Sequence, residues 1–139
     1  MRAPDRALLD TSAIVALLHA GDADHAAVAA TFRSFRGTLL TTEAVLTESL
    51  YLLAPIHGGQ EACLEFFIRG AAVLVPASRA SLVQAKAILA RYTDLPADYA
   101  DATLVALAGE MRALTVFTLD RRDFGVYRRE DGKTFRIVP

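Results

Sequence analysis

The sequence predicts an α/β fold, a short and mostly parallel sheet with helices on both faces. Three observations lead there. Apolar runs of strand length alternate with longer helical patterns along the whole chain. The strand candidates are continuously apolar rather than alternating, as expected when helices cover both faces of a sheet. No repeat, low-complexity tract or linker interrupts the 139 residues, so one domain over residues 1–139 is the economical organisation.

The elements follow in order. "RALLD" reads as a first strand ending in an acid, and "TSAIVALLHAG" as a helix with Thr11 or Ser12 as cap and Gly21 as stop. "DADHAAVAATFRSF" is helical, with Val28, Phe32 and Phe35 on one face. "GTLLTT" is a second strand. "TEAVLTESLYLLAPIHGG" is a helix closed by Pro55 and the Gly58–Gly59 pair, and "QEACLEFFIRG" a shorter one. "AAVLVPA" is a β-branched strand, and "SRASLVQAKAILARYTD" an amphipathic helix capped by Ser78 or Ser81. "LPADYADATLVALAG" is an apolar helix with Asp98 as N-cap and Asp101 three positions on. A strand "LTVFTLD", a turn "RRDF" and a last strand "TFRIVP" complete the chain.

Composition narrows the class. Hydrophobic residues make up 53% and charged residues 22%, which excludes a disordered chain. Mean hydropathy is +0.31, yet no apolar run approaches the ~20 residues of a membrane-spanning helix. The net charge of -1 does not announce a nucleic-acid binder, although arginines and a lysine crowd the segment after Arg112. Cys63 is the sole cysteine, so no intrachain disulfide forms. The first residues have no apolar core of a signal peptide, and a cytoplasmic setting is expected.

The acids carry the functional signal. In open α/β sheets, sites form beyond the carboxyl ends of the strands. Two predicted strands end there in an acid, Asp10 and Asp120. Glu48 lies in a helix apolar on nearly every side, so it is expected to be well buried and to need a partner. No Lys or Arg occurs between Arg36 and Arg69 to serve as one. Asp98 and Asp101 are explained by helix capping alone, but that helix mouth would bring Asp101 toward both strand ends. Convergent carboxylates repel unless a cation neutralises them, and hard divalent ions prefer all-oxygen surroundings. Asp10, Glu48, Asp101 and Asp120 are therefore expected to form one acidic pocket binding Mg²⁺ or Mn²⁺. Such a site suits phosphodiester hydrolysis. Thr11, Ser12 and Thr118 are placed to orient a water or a carboxylate, and Arg121 and Arg122 to hold a substrate backbone.

In this order and spacing, "LLDTSAIVALL", "LTESLYLL", "ADATLVALA" and "FTLDRRDF" resemble the PIN-domain family, especially the toxin ribonucleases of VapC-type toxin–antitoxin pairs. The resemblance covers about residues 6–138. It implies a three-layer sandwich and a metal-dependent endoribonuclease with an acidic quartet. Asp10 matches the family's first acid, Glu48 the acid of the third helix, Asp101 the acid opening "DATLVALA", and Asp120 the more variable fourth. Asp123 is a plausible helper and Asp98 a supporting residue. The resemblance further implies an RNA substrate, a homodimer and a small antitoxin partner, for which "AIVALL" and "LTESLYLLAPI" would form a groove.

Other chemistries fit less well. A haloacid-dehalogenase-type phosphatase needs a second Asp two residues after the first, where Ser12 stands. A receiver domain needs an Asp after the third strand, and "VLVPAS" offers none. Neither Gly-rich phosphate motif nor a G-x-S-x-G elbow occurs. The rival of a different class is a PIN-like module that binds RNA or protein without cutting.

Overall fold

The computed structural model describes residues 5–95 and 97–139. Residues 1–4 of the expected domain, and Pro96 at the start of the predicted "LPADYADATLVALAG" helix, lie outside that description. The chain runs β1 (Asp5–Leu9), α1 (Thr11–Leu18), α2 (His25–Ser34), β2 (Gly37–Thr41), α3 (Glu43–Leu53), α4 (Gly59–Ile68), β3 (Val73–Leu74), α5 (Arg79–Arg91), α6 (Tyr99–Met111), β4 (Thr115–Phe117), α7 (Arg121–Val126) and β5 (Arg136–Val138). The strands form one sheet in the order β3-β2-β1-β4-β5, and every pairing is parallel.

Burial explains why the sequence patterns read as they do. Ala7, Leu8 and Leu9 are consecutive, point alternately to the two faces of β1, and are all buried. Helices therefore cover both faces of the central strand. With the right-handed crossovers general to parallel sheets, the steps from β1 through β2 to β3 and the return to β4 and β5 send their connecting helices to opposite faces. The expected face of α2 is present: Val28 is buried, and Phe32 and Phe35 pack against the core. Helix α6 is the most enclosed, with Ala100, Ala102 and every residue from Leu104 to Ala108 buried.

Local chemistry fixes the ends. Ser78 caps α5 and exchanges hydrogen bonds with Ser81, at 3.0 and 2.8 Å. Gly58, in the left-handed region at φ 70°, turns the chain into α4, where a side chain would be strained.

Four expectations change. "RRDF" is not a bare turn but the start of α7, whose single turn and a half is too short to show periodicity in sequence. "AAVLVPA" contributes only two paired residues, Val73 and Leu74, and both are exposed at the sheet edge. Helix α3 is not enclosed on all sides: Val45, Ser49 and Leu53 are buried, whereas Tyr51 is 78% exposed. Neither Thr11 nor Ser12 caps α1; Asp10 occupies that position, without a side-chain bond to the helix.

Candidate functional site

Strand order reverses its direction of travel between β1 and β4, the place where an open α/β sheet forms a crevice. Their register pairs Leu9 with Phe117, and the backbone N–H of Asp10 donates to the Phe117 carbonyl at 3.0 Å. Asp10 and Thr118 therefore leave the two strands side by side. The Thr118 hydroxyl donates to Asp10 Oδ2 at 2.7 Å and accepts from the Asp120 backbone N–H at 3.0 Å. Having donated its single proton, Thr118 Oγ1 takes a second one from Ser12 Oγ, 3.2 Å away. Ser12 in turn accepts from the Leu119 N–H at 2.9 Å. Two hydroxyls thus form a directed chain ending on Asp10.

Asp10 is 6% exposed, and burial pushes its pKa up to about 6 against the hydrogen bond from Thr118. The charges of Asp120 and Asp98 push the same way. On the other side of the crevice, Asp98 caps α6 by accepting from the Asp101 N–H at 2.9 Å. Asp101 does not return that bond to complete a capping box. Its Oδ2 accepts from the Tyr127 hydroxyl at 2.9 Å. Desolvation, then Asp98, raise Asp101 to about 7, with Asp10 and Asp120 contributing further. Tyr127 is fully buried, packed edge-on against Tyr92 and Phe124, and burial beside Asp101 drives its own pKa upward.

Glu48 is half-buried, not well buried as expected, because α3 presents this side to the crevice. Its pKa is raised first by desolvation, then by the carboxyls of Asp98 and Asp10. The nearby Thr11 hydroxyl pulls the other way. Thr41 and Thr42 anchor the base of α3: Thr41 donates to the Leu9 carbonyl at 2.6 Å, and Thr42 and Thr103 share a 2.8 Å hydroxyl contact linking α3 to α6. Asp120 caps α7 by accepting from the Asp123 N–H at 3.0 Å. Desolvation and Asp120 raise the Asp123 pKa, and Arg122 opposes them. Arg121 and Arg122 are exposed on the first turn of α7, and Arg121 is already engaged by the Pro139 carbonyl.

Asp10 thus shares electrostatic range with Asp98, Asp101 and Asp120, and Glu48 joins the group through Asp98 and Asp10. No arginine or lysine is among the groups that set the pKa values of Asp10, Glu48 and Asp101. Among the described residues, no three acidic, His or Cys side chains stand close enough as arranged to enclose a metal ion. The donor set nonetheless fits one. All its ligating atoms are oxygens, suited to a hard cation that keeps part of its water. One buried polar atom there, Thr11 Oγ1, has no hydrogen-bond partner, and it faces Glu48. Tyr127 is the site residue that sequence reasoning missed. Its partner lies 26 positions away, and only the aromatic cluster of "DFGVY" hinted at a buried role.

Known proteins resemble this chain in sequence and fold. The PIN domain family model matches residues 7–130. Ribonuclease VapC26 of Mycobacterium tuberculosis is 36% identical over 134 residues, 95% of this chain and 99% of that protein. The crystal structure of Mycobacterium tuberculosis VapC20, a sarcin-ricin-loop-cleaving toxin, superposes with a TM-score of 0.74 at 24% identity, over 84% of this chain and 91% of that one. A toxin–antitoxin complex from Klebsiella pneumoniae superposes with a TM-score of 0.68 at 17% identity, over 96% of each chain. With the family model spanning residues 7–130 and a relative 36% identical over nearly the whole chain, this chain belongs to the PIN-domain family.

Proposed function

We propose that the protein is a metal-dependent endoribonuclease of the VapC type, the toxin of a toxin–antitoxin pair. The observation that carries this reading is the set of carboxyls at one crevice whose pKa values are held high by burial and by each other. A chain folds such a set together at a cost, and a divalent cation removes that cost. The 36% identity to a named ribonuclease over nearly the whole chain supports the same activity.

Asp10, Glu48, Asp101 and Asp120 would hold Mg²⁺ or Mn²⁺. When bound, the ion would activate water and neutralise charge on the scissile phosphate. The chain's own residues do the rest. The hydroxyl chain from Ser12 through Thr118, with the Thr11 backbone, fixes the Asp10 carboxylate. Tyr127 holds Asp101 by one oxygen and, as a donor, favours its ionised form. Asp98 and Asp123 support the site by adding negative potential and by pinning the two helix mouths. Arg122, and Arg121 beside it, flank the crevice where a phosphate backbone would enter.

The similar toxin–antitoxin complexes support a small antitoxin as partner. Of the two helices expected to form its groove, α1 is largely buried, while α3 exposes Tyr51 and Leu52. We assign the partner-facing apolar ridge to α3. A homodimer is part of the same proposal.

The test is cleavage of RNA by purified protein with Mn²⁺ or Mg²⁺, with chelator, and with Asp101→Asn as control. Cleavage that needs the metal and Asp101 supports the reading. Metal-independent cleavage, or the same cleavage by the variant, overturns it and leaves a binding module.

A further inference from the structure

We infer that the groove between α2 and the β4–β5 edge is the track for the RNA strand beside the scissile bond, with Arg36 and Arg136 as its phosphate contacts. The inference rests on the ribonuclease reading and specifies how substrate reaches that site. Arg36 and Arg136 lie outside the motifs that carry the acids, Arg136 in the basic segment that follows Arg112.

The geometry is set by register. Ala7, Thr115 and Arg136 lie level on three neighbouring strands, so their side chains share one face. Phe117 and Val138 lie two residues further along on that same face. Phe35, at the end of α2, meets the Phe117 ring edge-on at 5.4 Å, which identifies it as the α2 side. Helix α2 forms one wall of the groove, through Thr31, Ser34 and Phe35. The space is about 710 Å³.

The charges are one-sided. Arg6, Arg36 and Arg136 line the groove, against the single acid Asp5. Among the described residues the Arg36 and Arg136 side chains have no ion pair or hydrogen bond, and both residues are exposed. The Arg6 guanidinium donates to the Met111 carbonyl, which holds it in place at the rim. Two unpaired guanidiniums over a sheet floor are suited to a chain of phosphates rather than to one anion.

The groove also leads to the right place. Along the strands it runs from Arg136 to Val138, whose carbonyl accepts from the Thr118 N–H at 3.0 Å. Asp10 stands three residues beyond the level of Arg136, about 10 Å along the strands, and two strands across, about another 10 Å. A strand with its scissile phosphate at the acids would therefore carry neighbouring phosphates past Arg136 and Arg36. These arginines also offset the repulsion that five crevice carboxyls exert on any polyanion.

The experiment is fluorescence anisotropy of a labelled single-stranded RNA of about 20 nucleotides with the full chain in chelator, where binding needs no cleavage. Arg36→Glu with Arg136→Glu is expected to weaken binding about tenfold or more. It should also flatten the salt dependence by about 1.4, roughly 0.7 for each lost phosphate contact on a single strand. Arg36→Gln with Arg136→Gln should fall between, and the exposed Lys86→Glu on α5 should change nothing. With metal, the reversals should raise KM and leave kcat within about twofold. Unchanged affinity in the double reversal, an equal loss in Lys86→Glu, or displacement of RNA by an oligoglutamate peptide as readily as by unlabelled RNA overturns the track. Wild-type protein that binds RNA through these arginines but never cuts it would refute the ribonuclease reading while leaving the groove as a binding surface.

Discussion

Two halves of the crevice hold their acids very differently. On the β1–β4 side, Asp10 is buried and receives a hydroxyl bond backed by a second hydroxyl, with strand hydrogen bonds beneath. On the α3 side, Glu48 is half-buried, with the Thr11 hydroxyl and the Asp98 carboxyl pulling its charge in opposite directions. Asp101 lies between these extremes, tethered by Tyr127 alone. The difference teaches that the sheet holds its carboxyl rigidly, while α3 holds one that adapts. Rigidity is cheap where two parallel strands end together. It is harder to achieve one and a half turns into a helix whose outer face is open to water.

That contrast is sharpest under mutation. Asp10→Asn should lower cleavage about a thousandfold, some 4 kcal/mol of transition-state stabilisation, measured as kcat/KM on a defined RNA. Glu48→Gln should cost less, about ten- to a hundredfold, because a loosely held ligand is more easily replaced by water. Equal losses at the two positions would erase the distinction between rigid and adaptable ligands.

Thr118→Val tests the hydroxyl chain without touching an acid. It removes the bond that lowers the Asp10 pKa and leaves the Ser12 proton without its acceptor. About a tenfold loss of activity is expected, with the acid limb of the pH profile moved to higher pH. Tyr127→Phe should do the same to Asp101, at about 1 kcal/mol of stability measured by denaturant unfolding. An acid limb that stays in place in both variants would show that neither hydroxyl sets the charge of its carboxyl.

The smallest expected effect is on stability against pH. Asp10 and Asp101 titrate at about 6 and 7 in the folded chain, above the value near 4 of an unfolded aspartate. The folded chain therefore binds more protons in that window, and stability present below about pH 4 is lost as pH rises through about 7. The change from Asp10 is at most about 3 kcal/mol, with a smaller, solvent-screened share from half-buried Asp101. Thermal unfolding in chelator should fall in midpoint between about pH 5 and pH 8, and Mn²⁺ should reverse the fall. A midpoint that rises over this range would mean the carboxyls are not mutually destabilising.

The legible parts of the molecule are those written locally. Asp10 and Asp120 stand where apolar runs stop, Asp98 stands three residues before Asp101, and Ser78 three before Ser81. Each pattern is a short-range capping or strand-end signal, and each appears in the structure. What escaped depends on tertiary packing. Tyr127 meets Asp101 only because α7 folds back against α6. The exposure of Tyr51 and Leu52 could not be read from apolarity, because an apolar side chain does not say whether its own domain or a partner covers it. The apolarity of "AAVLVPA" likewise does not say that β3 lies exposed at an edge.

The account stands on the claim that these carboxyls form a divalent-cation site built around Asp10. Calorimetric titration with Mn²⁺ at about pH 8, above both shifted pKa values, tests it without any RNA. Wild-type protein should bind Mn²⁺, Asp10→Asn should bind about ten- to a hundredfold more weakly, and the exposed Lys86→Glu should bind as wild type does. Equal Mn²⁺ affinity in wild type and Asp10→Asn would contradict the claim.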